Sequence, residues 1–168
     1  MKKLIGLLLM MLFINTAFGQ WKVRQLTDEF GELTDTVYLT SVDNTGSFIN
    51  SRLVVSPLEA VIFYAENKLF ITLYEYNNIP ASFDYVIANM LVVDNDGMVH
   101  KIKVQQSSSS IFAYDEDAQN TLIELLTTNN EQLQCVFTEK HNTTAEGAIY
   151  VFNISTEHFS VLYSLIKN

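Results

Sequence analysis

Three histidines, one cysteine and nineteen carboxylates are the groups from which this 168-residue chain could assemble a reactive site. His100, His141 and His158 are not at helical ligand spacing, and neither an H-E-x-x-H motif nor a second Cys accompanies them, so no zinc is expected. Cys135 stands six residues before His141, and a Cys–His pair is one route to a nucleophile. Leu133 and Phe137 share the face of Cys135 in a strand pattern, however, which points to a core thiol. No G-x-S-x-G elbow occurs. Neighbouring acids are frequent: Asp28/Glu29, Glu32/Asp35, Asp94/Asp96 and Asp115/Glu116/Asp117. A glycosidase needs two acids facing each other across a cleft. These fall instead in turns and at a helix start, where bonding to the local backbone accounts for them. Asp94-Asn-Asp-Gly97 opens like a calcium loop, but the fifth, sixth and twelfth positions are Met98, Val99 and Gln105, so a hairpin turn is expected. Six scattered glycines form no phosphate cradle. The expectation is no catalytic residue, no metal and no cofactor.

The unusual composition is aromatic. Phe63, Tyr64, Phe70, Tyr74, Tyr76, Phe83 and Tyr85 crowd one stretch. Buried, they would make a core; exposed, they could stack on a sugar or anchor a protein. Arg52 is one of two arginines and could meet an acid or an anion. The candidate partner or ligand surface therefore comprises Asp28, Phe30, Arg52, Phe70, Tyr74 and Tyr76.

Residues 1–19 have the layout of a secretory signal. Lys2 and Lys3 precede a short apolar run over 4–14, and Ala17 and Gly19 occupy the positions before a cut at Gln20. That run is shorter than the roughly 20 residues of a membrane span, and no later stretch is apolar enough. Cleavage would remove two of ten cations and leave eight against nineteen acids. So acidic a chain is not a phosphate-backbone binder, and no nucleic acid partner is expected. A single Cys forms no internal disulfide. The sequons at Asn142 and Asn153 read as chance. Together these place the chain in the periplasm or outside a bacterial cell.

Residues 20–168 suit one domain. Strands are expected at 21–24, 37–42, 48–55, 59–64, 69–76, 85–93, 98–104, 133–138 and 149–154. Turns separate them at 28–32, at 43–46 (Asp-Asn-Thr-Gly) and at 94–97, with a hairpin loop at 65–68; the polar run 105–110 reads as a loop. Helical spacing of Ala118, Leu122, Leu125 and Leu126 marks a helix at 115–128; Phe159, Leu162, Tyr163 and Ile166 mark another at 157–166, with Thr156 as its cap. Strands 69–76 and 85–93 are apolar on both faces, so both should be covered by a second sheet, the helices or a partner. The fold class is mainly β, a β-sandwich-like domain with two α-helices in its last third.

The segments W-K-V-R at 21–24, D-E-F-G at 28–31, G-S-F-I-N-S at 46–51, L-Y-E-Y at 73–76 and Y-V-F-N-I at 150–154, followed by Phe159 and Tyr163, resemble a group of small exported bacterial proteins of uncharacterised function. The resemblance covers most of the chain and departs at Ser47, Ile49 and Arg52. In element order alone the chain is similar to type VI secretion-associated periplasmic lipoproteins, whose anchoring Cys it lacks, and to invasion-associated locus B proteins. None of these carries a catalytic residue across.

The expected function is a non-catalytic binding or accessory protein of the bacterial envelope, working by surface contact with a protein partner. The alternatives are a small secreted hydrolase, or a carrier holding an apolar or sugar ligand beside Phe70, Tyr74 and Tyr76.

Overall fold

A computed structural model describes residues 21–167 except 51, 77, 130 and 142–145, with backbone alone at 43 and 146. The expected signal segment, the Arg52-flanking Ser51 and the Asn142 sequon lie outside the described residues. The elements in chain order are β1 (Trp21–Thr27), β2 (Leu33–Ile49), β3 (Val55–Ala65), β4 (Lys68–Glu75), β5 (Ile79–Pro80), β6 (Phe83–Val93), β7 (Val99–Ser108), β8 (Ser110–Ala113), α1 (Glu116–Thr128), β9 (Gln132–Lys140), β10 (Glu146–Ser155) and α2 (Phe159–Lys167).

Eight of the strands form one antiparallel sheet in the order β2-β10-β9-β6-β7-β8-β4-β3, and β3 pairs back onto β2. The sheet is a closed barrel. This corrects the expected sandwich. The reason lies in two segments read as breaks. Residues 43–46 are not a turn: β2 runs straight through them with only a bulge between Ser41 and Asn44, and hands its free edge from β1 to β10. The polar run 105–110 is not a loop: it is the end of β7, a tight turn and the start of β8. With both segments laddered, the eight strands pair around the ring without a break among the described residues.

Alternation along each strand puts one row into the lumen. These rows are Leu58, Ala60, Ile62 and Tyr64 on β3; Leu69, Ile71 and Leu73 on β4; Ala88, Met90 and Val92 on β6; Leu133, Cys135 and Phe137 on β9; and Ala148, Tyr150, Phe152 and Ile154 on β10. An eight-stranded barrel is just wide enough for side chains to fill it. Charged side chains of β3 and β7, among them Glu59, Lys101 and Lys103, point away from this apolar lumen. Outward positions on β6 are instead largely apolar, with Tyr85, Ile87 and Leu91 exposed.

The two helices sit at the barrel end where β3 turns into β4. α1 begins at the N-cap Asp115, whose Oδ1 accepts from Ala118 N at 2.9 Å, and buries Ala118, Leu122, Leu125 and Leu126. α2 buries Phe159 and Leu162; Phe159 meets Trp21 at 4.7 Å between ring centres and Tyr64 at 6.5 Å. Thr156 does not cap α2 through its side chain: its Oγ1 is buried with no hydrogen-bond partner among the described residues, while its carbonyl accepts from Phe159 N. At the opposite end, the mouth, an aromatic layer of Phe48, Phe83, Phe137 and Tyr150 fills the lumen, with ring centres 5.6–6.1 Å apart.

Candidate interaction surface

The expected candidates do not converge. Asp28 and Phe30 lie at the tip of the β1–β2 hairpin. Arg52 is exposed in the β2–β3 loop at the mouth, with no ion pair among the described residues. Phe70 and Tyr74 alternate with Leu69, Ile71 and Leu73, so they face outward on β4. Phe70 packs there on Phe112 at 5.9 Å. Tyr76 is on the mouth rim, edge-on to Phe48 at 5.1 Å. Phe70 and Tyr74 thus lie on the outer face of β4 and not toward the lumen.

The Asp28–Phe30 site has a distinct geometry. The last β3 residue paired to β2 is Tyr64, opposite Leu39; β10 pairs only from Gly46 to Ile49. From Tyr38 back to Leu33, β2 therefore has β1 on one edge and no strand on the other among the described residues. That stretch measures about 17 Å at strand rise. It is a two-stranded arm leaving the helix-capped end. Such ribbons are marginal alone, and this one is braced by side chains. Thr34 Oγ1 donates to Leu26 O at 3.1 Å, and Gln25 Nε2 donates to Thr34 O. At the tip, Asp28 Oδ1 accepts from the amides of Phe30 and Glu32, both at 2.9 Å, and Gly31 takes φ +82° in open space. Asp28 is thus a positioning residue. Its carboxylate shapes the turn that holds Phe30 out, 81% exposed.

The exposed residues of the arm beyond the buried Leu39 are Val37, Asp35 and Leu33, with a register shift of the β1–β2 ladder between Val37 and Leu33. Val37 is 40% exposed and Leu33 69%, because no barrel wall lies opposite them; Leu26 on β1 is 43% exposed. The arm carries Asp28, Glu29, Glu32 and Asp35 against one base, Arg24. Apolar groups in an acidic frame suit contact with a complementary surface.

A polar network at the mouth escaped the sequence reading. Tyr150 reaches across the lumen and donates to Glu75 Oε1 at 2.7 Å. Glu139 Oε2 accepts from Ala148 N at 3.0 Å, in space that a side chain at Gly147 would take. His141 Nδ1 lies 3.6 Å from Asp84 and 3.8 Å from Glu139. A signal existed: Glu75 extends the inward row Leu69-Ile71-Leu73, and Glu139 extends Leu133-Cys135-Phe137. Burial, then the hydrogen bond to Glu75, raises the Tyr150 phenol well above the ordinary range; burial first also raises Tyr64. The folded state therefore favours both phenols neutral. Their contribution to stability is complete below the unfolded value near 10 and is lost as pH rises beyond it. Urea unfolding from pH 8 to 11 should show stability falling with pH, and Tyr150→Phe should make that fall shallower.

The other chemical groups are engaged locally. Asp94 Oδ1 accepts from Asp96 N and Met98 N, and Oδ2 meets His100 Nε2 at 2.7 Å, a bond that lowers the Asp94 carboxyl below its usual range. Cys135 is fully buried, and burial pushes its thiol up to about 12. His141 is six residues further along, about 20 Å at strand rise, so the two do not form a pair. With that thiol almost entirely protonated at neutral pH, an aromatic disulfide reagent should leave folded Cys135 unmodified and react fully in denaturant. Labelling of the folded chain at the denatured rate would contradict this burial.

The fold and surface define a class: a closed eight-stranded antiparallel barrel, packed through its lumen, with a hairpin arm. No family model, curated protein or solved structure matches the chain.

Proposed function

We propose that this chain is an exported, non-catalytic binding protein of the bacterial envelope that docks on a protein partner through the β1–β2 arm. The carrying observation is that Phe30, Leu33, Val37 and Leu26 are held in solvent on a braced ribbon outside the packed body. Burying one such side chain is worth about 1.5–3 kcal/mol, so a partner covering the arm gains affinity from a preorganised surface. The signal-like leader and the resemblance to small exported proteins support export.

The test is a photocrosslinking amino acid at position 30 of the full chain in its producing cells, compared with one at position 101 on the barrel wall. The expected result is one covalent protein product from position 30 that is absent from position 101 and lost in Leu33→Asp. Equal background from both positions would refute the reading.

A further inference from the structure

The arm also limits how its partner can bind. This step rests on the docking proposed above. Over 33–38, β2 has no strand on the edge where the β3 line stops at Tyr64, among the described residues. The Thr36 amide donates at 3.3 Å to Thr34 Oγ1 of its own strand. A free edge is a template for strand addition. Leu33, Asp35 and Val37 are the exposed residues here, alternating with the half-buried Thr34, Thr36 and Tyr38 across the register shift that lies between Leu33 and Val37, so the exposed order is apolar, acidic, apolar. A second copy would bring the same acids to the pairing, with Asp35 against Asp35 when the arms are centred on each other, and like charges directly opposite are destabilising.

We propose that the partner adds to this edge as an extended strand of pattern apolar-x-Lys/Arg-x-apolar, its cation opposite Asp35 and its apolar residues over Leu33 and Val37. The acidic frame excludes self-pairing and selects a basic segment in one step. The cross-strand rule makes the central residue the specificity position, because direct partners on one face sit about 4.5–5.5 Å apart at Cβ.

The experiment uses two end-capped, fluorescein-labelled probes, Thr-Val-Thr-Lys-Thr-Val-Thr and the same peptide with Glu at its centre, titrated against the chain by anisotropy. The expected result is a preference of roughly tenfold for the Lys probe, reversed in Asp35→Lys. Amide hydrogen exchange over 33–38 should slow only when the preferred probe is bound. Equal binding of both probes, a preference unchanged in Asp35→Lys, or unaltered exchange over 33–38 would overturn the proposal. A position-30 crosslink with no probe preference would sink strand addition alone and leave docking standing. Loss of the crosslink as well would remove both. Asp35 is exposed, and circular dichroism of Asp35→Lys separates misfolding from lost recognition.

Discussion

Replacing Gly46 with alanine is expected to destabilise the barrel by about 3 kcal/mol, the upper part of the range for overpacking. The melting temperature should fall by roughly 10 °C for a domain of this size. Gly46 sits opposite Phe152 in the β2–β10 ladder. A β-carbon there would run into the carbonyl of Val151 and lie 2.8 Å from the backbone Cα of Phe152. The obstruction is mostly backbone, so no rotamer change relieves it, and β2 would have to draw away from β10. That seam belongs to the ring closure, so the cost falls on the whole cooperative unit. Gly31 is a useful contrast. Its β-carbon would meet open space, and alanine there carries only the left-handed strain of φ +82°, about 1–2 kcal/mol confined to the arm tip. Urea midpoints measure both. Equal midpoints for Gly46→Ala and the parent chain would mean that the two strands are not held this close.

Trp21→Ala should cost a further 3–5 kcal/mol, as large aromatic truncations in a packed site do. Trp21 is 1% exposed, its ring packs on Phe159, and its Nε1 donates to the Ser155 carbonyl where β10 leads into α2. One side chain thus ties the base of the arm to the terminal helix. The variant should lose stability and also loosen the arm: amides over 22–38 should exchange faster than those of β6 and β9. Trp21→Phe keeps most of the packing and loses the hydrogen bond, about 1 kcal/mol. A Trp21→Ala chain with unchanged arm exchange would show that the ribbon is held by its own braces alone. As Trp21 is the sole tryptophan, circular dichroism rather than fluorescence should follow unfolding.

Much of the local structure was legible because its signals are local. The Asp94–Gly97 hairpin, the Glu66–Asn67 turn with both residues at positive φ, the capped helix at Asp115 and the row Leu133-Cys135-Phe137 each follow from residues within a few positions of one another. The errors also have local causes. Asp43-Asn-Thr-Gly46 has turn composition, yet Gly46 is required for clearance against β10, a constraint set more than a hundred residues away. Gln105 and Gln106 look like loop residues, yet they are buried because their amides bond to Val86 O, Asp84 O and Lys140 O on neighbouring segments. The two apolar faces of β4 were visible; that its outer face is covered in part by Phe112, and not by a second sheet, was not.

For the candidate surface, sequence supplied the tip but not the arm. The D-E-F-G turn marks where Asp28 can organise backbone amides, and Phe30 follows from it. Whether Phe30 folds back or stands out depends on where β3 and β10 end along β2, which no short window contains. By itself, then, the amino-acid sequence determined the β-rich composition, the positions of both helices to within two residues, most hairpins and the acidic balance, because propensity, alternation and capping act over a few residues. Tertiary structure alone decided that the sheet closes, that Glu75 and Tyr150 meet across the lumen, and that β2 outruns its neighbours. Each of those depends on strand lengths and registers fixed by packing between segments far apart in the chain.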